Sequence, residues 1–346
     1  MVDGVRSSAP CMARLQPTIF HPASQCSHAF YDRSGDALSC RPDAPAPVDV
    51  AEPSARRISS SREAHRGSRV TARVDISDLD WRARTLRVRI IETSHRTNTP
   101  HLGSCLSCVD ILTTLYFSVL RIDAADARAP SRDRFILSKG HGAAALFQVL
   151  AMRGFYPEAM LDNYGQDGSL FAEHPPTPDH LPGIEAATGS LGHGLPLGLG
   201  MALAGRIRGL DYNVYALLSD GECNEGAVWE AAMLAASQRA SRLCVIIDFN
   251  KWQATGRSEE VMALSPLAEK WRAFGWRTCE IDGHDFAAIG EALALSPGDD
   301  SRPTAIVAHT VKGKGVSFME DENNWHYRIP TSDEVLAAKR ELGVTK

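Results

Sequence analysis

The sequence predicts an α/β fold in which a parallel sheet is covered by helices on both faces. Three observations lead to this prediction. Apolar runs of strand length occur at residues 134–138, 213–219, 243–249 and 303–310. They read "RFILS", "NVYALLS", "LCVIIDF" and "PTAIVAHT", and continuous apolar runs are typical of strands that are buried on both faces. Segments with helical spacing lie between the first three runs, and strands that alternate with helices indicate a parallel sheet.

The predicted helices follow from apolar spacing. Residues 76–94 carry Leu79 and Ile90 at helical spacing, with Ser77 as the predicted N-cap. Residues 104–120 predict a second, mostly buried helix. Further helices are expected at 142–154, which ends at Gly154, at 194–209, with Pro196 near its first turn, and at 226–240.

Residues 1–75 differ in composition from the rest of the chain. Residues 1–70 hold 7 of the 19 prolines and 9 arginines but no lysine, and they have little to bury that would offset the entropy lost on ordering. We therefore expect a disordered extension at 1–75 before a single domain at 76–346. Three origins stay open. The segment could be a targeting peptide, although its seven acidic residues disfavour this. It could also follow from a translation start assigned too far upstream, with Met12 or a later start as the true one, or be a genuine extension.

Composition and charge narrow the class of protein. A chain of 346 residues with 44% hydrophobic content can bury a large core. The formal net charge of −5 offers no broad basic field, so nucleic acid is an unexpected partner. No apolar run approaches the roughly 18 to 20 residues that span a bilayer, and the N-terminus has no signal-peptide pattern. We expect a cytoplasmic protein.

The eight cysteines favour a reducing compartment over a disulfide scaffold, because they are spread through the chain. Only Cys105 and Cys108 lie close together, in a CxxC pattern that could serve a redox site or half of a zinc site. No second CxxC or Cys/His pair supplies the remaining zinc ligands. We therefore interpret the pair as small buried residues in an apolar helix.

Two polar residues end the second and third predicted strands, Asp220 and Asn250. Ligands of open parallel sheets bind at the carboxyl ends of the strands, so both side chains can reach one crevice. Carboxylate and amide oxygens suit Mg²⁺ or Ca²⁺, and Mg²⁺ usually completes its shell with phosphate oxygens and water. Gly221 lets a backbone amide approach such a phosphate at the start of the next helix. The sequence therefore predicts a divalent metal beside a phosphorylated ligand.

The spacing of this Asp-Gly pair and the later asparagine resembles the diphosphate and magnesium motif of thiamine diphosphate enzymes. Four further segments resemble one branch of that superfamily, the transketolases, and occur in the same order. They are "NTPHLGSCLSCVDIL", "RFILSKGHGAAALFQVL", "GIEAATGSLGHGLPLGLGMALA" and "HTVKGKGVSFMEDENNWHYR". The resemblance spans residues 78–330 and implies the thiamine diphosphate-binding fold.

The resemblance implies a role for each matched residue. Asp220, Asn250 and the backbone carbonyl of Trp252 would bind the metal, which we expect to be Mg²⁺ with Ca²⁺ or Mn²⁺ as substitutes. Gly221 would contact the diphosphate of the cofactor, thiamine diphosphate. The catalytic histidines would be His141 and His326, near the diphosphate and reacting centre, and His101 and His174, near the hydroxyls of the donor sugar. Gly189 and Leu191 would bracket the aminopyrimidine. Glu225 would lie at the subunit interface.

Some positions depart from the family pattern or allow two interpretations. Ser219 replaces the first glycine of Gly-Asp-Gly, where a small residue fits. His193 replaces a frequent glutamine, and "WHYR" replaces the commoner histidine-glycine, which leaves the orientation of His326 open. Lys312 and Lys314 could approach an anion or form a solvated turn.

The resemblance also implies a partner. In this family the glutamate that activates the cofactor and most residues that grip the substrate phosphate belong to a second, pyrimidine-binding domain. We therefore expect the N-terminal subunit of a split transketolase, which acts with a separate C-terminal subunit in an α₂β₂ assembly and is poorly soluble alone. The expected reaction transfers a two-carbon ketol unit from a ketose, such as a sugar phosphate, to an aldose acceptor.

Three alternative functions stay open. The α-subunit of a 2-oxo acid dehydrogenase uses the same metal motif and also divides its domains between chains, although "LSKGH" and "VKGKGVSFME" favour the transketolase branch. A synthase that decarboxylates pyruvate is a second enzyme alternative. A non-catalytic regulatory subunit with the same fold is the third, and the intact histidine set disfavours it.

Overall fold

The computed structural model describes residues 75–297 and 300–344, so the predicted extension lies, apart from Asp75, outside the described residues. Five strands of the described part form one sheet in the order β1-β2-β3-β5-β4, and every neighbouring pair is parallel. This confirms the predicted parallel sheet. The strands are β1 (Arg134–Leu137), β2 (Val214–Ser219), β3 (Leu243–Phe249), β4 (Arg277–Asp282) and β5 (Thr304–His309).

The α-helices of the described part flank this sheet. They are α1 (Ile76–Thr97), α2 (Leu102–Ser107), α3 (Val109–Thr114), α4 (Ala143–Met152), α5 (Gly194–Ile207), α6 (Gly226–Ser237), α7 (Ser258–Val261), α8 (Leu267–Ala273), α9 (Phe286–Ala294) and α10 (Ser332–Leu342).

Two hydrophobic cores lie on opposite faces of the sheet. Alternate strand residues such as Tyr215 and Leu217 belong to the core that contains buried residues of α1 to α4, α9 and α10. Their neighbours, such as Ala216 and Leu218, belong to the core formed with α5, α6 and α8. Because successive side chains of a strand point to opposite faces, a continuous apolar run is what such a sheet requires. The prediction of helices on both faces is confirmed.

Two predictions about the first helices were wrong in detail. The N-cap of α1 is Asp75, whose carboxylate accepts a hydrogen bond from the Ser77 backbone nitrogen at 3.0 Å, so Ser77 is the second residue of the helix rather than its cap. The second predicted helix is interrupted at Cys108 and ends in a π-helical turn at Leu115–Val119. Apolar periodicity does not report the break at Cys108, because α2 and α3 are buried along their whole length.

Strand β4 was not predicted, because its sequence "RTCEID" is only partly buried and lacks a continuous apolar run. Among the strands of residues 75–297 and 300–344 it lies at the edge of the sheet, with β5 as its one neighbour. The other edge strand, β1, was found because its residues Phe135 to Leu137 are buried. Within the described residues, no helix is long and apolar enough to cross a membrane.

Candidate active site

The tips of β2 and β3 are tied together at the carboxyl edge of the sheet. Asp220 directly follows β2, and one of its carboxylate oxygens accepts hydrogen bonds from the backbone nitrogen of Lys251 and the hydroxyl of Ser258, both at 2.8 Å. Its other oxygen accepts from the backbone nitrogen of Gly221 at 2.9 Å. Lys251 is the residue after Asn250, so the structure brings the two predicted metal ligands to one place.

The donors at this edge fit a hard divalent cation. Asp220 is fully buried, and it has no ion-pair partner among the described residues. Burial raises the pKa of its carboxyl to about 6, which is the expected cost of a buried charge without a counter-ion. Asn250 is also buried, and its side-chain oxygen accepts from the backbone nitrogen of Trp252 at 3.0 Å. A cation here would supply the missing positive charge and would bind carboxylate, amide and backbone oxygens.

No group of three or more His, Cys, Asp or Glu side chains in the described part could hold a metal. A cation at this edge therefore depends on the set named from the sequence, in which only Asp220 carries a charge. Gly221 lies beside this set and is packed closely, because a Cβ at that position would be 3.0 Å from the side chain of Gln253.

The four predicted catalytic histidines form one cluster. The ring centroid of His101 is 5.7 Å from that of His141, 6.0 Å from that of His174 and 5.2 Å from that of His326. His141 and His326 are 5.8 Å apart. These residues come from four separate segments of the chain, so only the fold brings them together. The sequence left the orientation of His326 open because a tyrosine follows it; in the structure its ring points into the cluster.

Most of the cluster is neutral at physiological pH. Burial, followed by the positive charges nearby, lowers the pKa of His101 to about 4 and that of His326 to about 3. Burial also lowers the pKa of His141 well below its usual value, and Lys139 adds to the effect. Neutral imidazoles can both donate and accept hydrogen bonds, which suits the recognition of hydroxyl groups and proton transfer.

Backbone geometry holds the cluster in place. His101 has a left-handed φ of 71° at the start of α2, and its backbone nitrogen donates to the carbonyl of His326 at 2.8 Å. Gly140 precedes His141, and a Cβ at this glycine would be 2.7 Å from the backbone of Thr188 and Gly189. Any larger residue at 140 would separate the segments that carry His141 and Gly189.

The segment 188–192 runs beside the cluster. A Cβ on Gly189 would be 3.0 Å from the ring of His174, so these two residues are neighbours. Leu191 is partly exposed two residues later. The backbone nitrogen of Gly192 donates to Glu222 at 2.8 Å. Gly189 therefore lies beside the histidine cluster, whereas the aminopyrimidine contact of Gly189 and Leu191 stays a prediction.

Glu222 organises the site and was not singled out in the sequence. It is buried, and it accepts hydrogen bonds from Ser138, at the end of β1, and from the backbone nitrogen of Ser219, at the end of β2. Burial raises its pKa. With Gly192 it joins three segments around one carboxylate. Its position two residues after Asp220 was the available signal, but an acidic residue at a helix start is usually a solvated one.

A buried lysine network underlies the cluster and was also missed. Lys139 donates to the carboxylate of Asp248 and, at 2.8 Å, to the carbonyl of Ser104. The same carboxylate accepts from Ser107 at 2.6 Å and from Thr310. The sequence signal was Lys139 inside "LSKGHG", where a cation precedes a predicted catalytic histidine. The network joins α2, β3 and the end of β5, and its lysine lies two residues before His141.

Lys312 lies inside the site, so the solvated-turn interpretation is wrong for this residue. It is fully buried, and its ammonium group donates to Asn323 at 2.7 Å and to Nδ1 of His326 at 3.2 Å. Burial lowers its pKa to about 8. Lys314 is partly exposed and lies 3.3 Å from Glu320, as expected of a turn residue.

The loop after β3 is joined to the segment that leads to His326. Asp321 accepts hydrogen bonds from the indole nitrogen of Trp252 at 2.8 Å and from both terminal nitrogens of Arg257, at 2.6 and 2.7 Å. The guanidinium group of Arg257 lies 3.7 Å from the centre of the Trp252 ring. The backbone nitrogen of Asp321 also donates to the carbonyl of Lys312 at 2.8 Å. The loop that carries the predicted metal ligands and the segment that carries His326 are thus physically connected.

The remaining predicted residues lie at the surface or in the core. Glu225 and His193 are exposed, and a Cβ on Gly192 would be 2.7 Å from that of Glu225. Cys105 and Cys108 are buried thiols whose pKa values are raised by burial to about 11 and about 12. Thiols of this kind are unreactive, which favours their interpretation as core residues.

A profile of the family described as "Transketolase, thiamine diphosphate binding domain" matches residues 80–346. The chain belongs to the transketolase family. It therefore carries the thiamine diphosphate-binding domain of a family of thiamine diphosphate-dependent transferases, and its parallel sheet is the fold of that family.

Relatives of two lengths resemble this transketolase-family chain. One subunit of the apulose-4-phosphate transketolase of Phocaeicola vulgatus is 38% identical over 269 residues, which cover 78% of this chain and 95% of that protein. The 6-deoxy-6-sulfo-D-fructose transketolase subunit SqwG of Clostridium sp. is 38% identical over 77% of this chain and 96% of that protein. Human transketolase is 36% identical over 70% of this chain, but the match covers only 38% of the human protein.

The solved transketolase of Campylobacter jejuni superposes on 78% of this chain with a TM-score of 0.73 and 28% sequence identity, and the match covers 43% of that structure. The transketolase-family chain thus corresponds to nearly the whole of the two bacterial subunits and to less than half of the human and Campylobacter enzymes.

Proposed function

We propose that this chain binds thiamine diphosphate and a divalent cation and, together with a separate C-terminal subunit, transfers a two-carbon ketol unit from a ketose to an aldose. The observation that supports this function most strongly is the four-histidine cluster beside the paired tips of β2 and β3. The strand tips would bind the anionic end of the cofactor through a cation, and the histidine cluster would bind the uncharged, hydroxyl-rich end of the substrate beside it.

We assign the cation to Asp220, Asn250 and the backbone carbonyl of Trp252, and the diphosphate contact to Gly221. Asp220 supplies the only charge of this set, and it is already oriented by Lys251 and Ser258. Such fixed ligands hold a cation without reorganising when it binds. Mg²⁺ suits the oxygen set, and Mn²⁺ or Ca²⁺ would bind the same donors.

The bound cofactor supplies a carbon nucleophile that accepts the ketol unit. Around it, His101 and His174 would bind the hydroxyls of the donor, and His141 and His326 would lie at the reacting centre. Because the rings of His101, His141 and His326 are neutral, a ring N–H of each can donate to a developing alkoxide, and a ring nitrogen of His101 or His141 can accept from a hydroxyl. Gly189 and Leu191 would flank the aminopyrimidine.

The donor we propose is a ketose with an anionic group far from its carbonyl. The names of the two bacterial relatives specify apulose 4-phosphate and 6-deoxy-6-sulfo-D-fructose, and each of these sugars carries an anion at its end. The histidine cluster itself is mostly uncharged and would bind the hydroxyls common to such sugars. The residues that select the anion are assigned to the partner.

The partner is supported by an exposed apolar face. Leu197 and Ile207 on α5 and Met233 and Leu234 on α6 are 43%, 84%, 53% and 48% exposed. Large apolar side chains grouped on two adjacent helices are typical of a protein interface. Glu225 lies at the start of α6, next to this face, so we keep it as an interface residue. We propose that the chain and its partner form an α₂β₂ assembly in the cytoplasm.

The test is an assay of the chain with and without its partner. Co-purified with a candidate C-terminal subunit, thiamine diphosphate and Mg²⁺, the chain should transfer ketol units from fructose 6-phosphate or another ketose phosphate to an aldose phosphate. Release of carbon dioxide from a 2-oxo acid would instead identify a dehydrogenase α-subunit or a pyruvate-decarboxylating synthase. Cofactor binding without any turnover would identify a regulatory subunit, and rapid ketol transfer by the chain alone would exclude the partner.

A further inference from the structure

A buried ionic network lies behind the site and takes no direct part in the proposed chemistry. Arg87 of α1 forms two hydrogen bonds to Asp110 of α3, at 2.9 and 2.7 Å. His284, which follows β4, places Nδ1 2.7 Å from the same carboxylate. The three side chains are only 6%, 5% and 12% exposed. A buried ion pair by itself adds little net stability, so its other contacts indicate its role.

Those contacts converge on residues 311–315, which we call the Lys312 loop. Nε2 of His284 accepts a hydrogen bond from the backbone nitrogen of Val311 at 2.9 Å. Nε of Arg87 donates to the carbonyl of Lys314 at 2.8 Å. Gly315 has a φ of 99° and packs so closely that a Cβ there would be 2.7 Å from Cδ of Arg87. The network thus binds both ends of the loop.

Between these two ends the loop directs Lys312 into the site. The side chain of Lys312 passes Gly103, where a Cβ would be 3.1 Å from its Cγ, and its ammonium group reaches Nδ1 of His326. Because the ammonium can only donate, Nδ1 of His326 must accept, and the ring proton is then on Nε2. The position of Lys312 therefore selects the tautomer of a proposed catalytic histidine.

The proton on His284 is determined by the same reasoning. The Val311 backbone can only donate, so Nε2 of His284 carries no proton, and Nδ1–H donates to Asp110. All of its hydrogen-bonding capacity is used, one side by the ionic pair and the other by the loop. Neither an apolar residue nor a permanent cation at 284 could make both contacts.

We propose that His284, held by Asp110 and Arg87, is a positioning residue that keeps the Lys312 loop in place, so that Lys312 fixes the tautomer of His326. The catalytic consequence rests on the proposed function, whereas the structural part can be tested without cofactor, substrate or partner.

The test is lysine acetylation of the full chain by a short pulse of acetic anhydride, read by mass spectrometry. Lys312 is fully buried and Lys314 is 35% exposed, so Lys314 serves as an internal reference in the same loop. In His284→Ala we expect the ratio of Lys312 to Lys314 labelling to rise about tenfold, because local opening becomes easier when both hydrogen bonds are lost. The control is His309→Ala, which removes a partly exposed histidine that contacts Glu280 at 2.9 Å, and its ratio should stay at the wild-type value.

Lys139 reports on the rest of the core, because it is fully buried in a separate network. The inference is supported if Lys312 becomes labelled while Lys139 stays protected. It is overturned if Lys312 stays protected in His284→Ala, or if both lysines become labelled together. If His284→Ala does not fold, Arg87→Lys, which keeps the charge but loses the contact with Lys314, carries the same expectations.

In the assembled enzyme, His284→Ala should lower kcat about tenfold and leave the affinity for thiamine diphosphate and Mg²⁺ unchanged, since the metal ligands are on other loops. If Lys312 becomes labelled in His284→Ala but kcat is unchanged, the role of His284 as a positioning residue is contradicted. Absence of ketol transfer by the wild-type assembly would reject the proposed function and leave the labelling result standing.

Discussion

Replacement of Asp220 by asparagine tests the idea that this carboxylate is held ready for a cation. Without a cation, burial raises the pKa of Asp220 from 3.8 to about 6. Because the folded-state pKa lies above the unfolded one, the carboxyl group stabilises the folded chain less and less as pH rises from about 4 through about 6. At pH 8 the ionised group costs the folded state about 3 kcal/mol, since each pKa unit is worth about 1.4 kcal/mol.

Asparagine removes the charge, but it can no longer accept one of the hydrogen bonds from Lys251 and Ser258. The loss of that hydrogen bond costs about 1 kcal/mol. The cation-free Asp220→Asn chain should therefore be about 2 kcal/mol more stable than wild type at pH 8. At pH 4 the wild-type carboxyl is largely protonated, so this advantage should disappear. The assay is urea unfolding in the presence of a chelator at both pH values.

Addition of Mg²⁺ and thiamine diphosphate should reverse the order, because ligands that bind only the folded chain raise its stability. Wild type should gain stability, and Asp220→Asn should gain none. The control is Asp248→Asn, which breaks the buried pair with Lys139 and should destabilise the chain by several kcal/mol with or without cation. The reasoning is refuted if Asp220→Asn, like the control, is clearly less stable than wild type at pH 8 without cation.

Three further predictions concern the histidines and the exposed face. His101→Ala should retain cofactor but lower turnover about 100-fold, as for loss of a preorganised donor, whereas Asp220→Ala should lose cofactor; equal cofactor loss in both would show misassigned roles. The ring signals of His101 and His326 in NMR should titrate near pH 4 and 3. Because these folded-state pKa values lie below the unfolded ones, the free energy of unfolding should fall as the pH drops below about 6.5. Midpoints near 6.5 would disprove the burial of the two rings. Met233→Glu should weaken assembly at least tenfold in sedimentation, whereas Leu336→Glu, equally exposed at 53% on α10, should not; equal effects would place the interface elsewhere.

The sequence predicted the elements whose signals are local. The runs that became β1, β2, β3 and β5 are apolar along their whole length, because they are buried on both faces of the sheet. Asp220 and Asn250 could be paired in advance because parallel strands end at the same edge. Strand β4 had no such signal, since an edge strand can be half-exposed, and Cys108 gave no sign of the break between α2 and α3.

Site residues that belong to a sequence motif could be predicted. Site residues whose role depends only on packing in the folded chain could not. The four histidines were named from separate motifs, and the fold brings them within 6.0 Å of at least one neighbour. Glu222 and His284 were missed, because their roles depend on which backbone nitrogens lie opposite them. Lys312 had two possible interpretations from the sequence, and only its burial against Gly103 and His326 decides between them.

The most direct test of the central claim is an anomalous diffraction map from crystals of the assembled protein grown with Mn²⁺ and thiamine diphosphate. The account predicts one strong manganese peak between the tips of β2 and β3, within about 2.3 Å of oxygens from Asp220, Asn250 and the Trp252 carbonyl. A bound cofactor with no manganese peak at these residues, or a peak coordinated by other side chains, would contradict it.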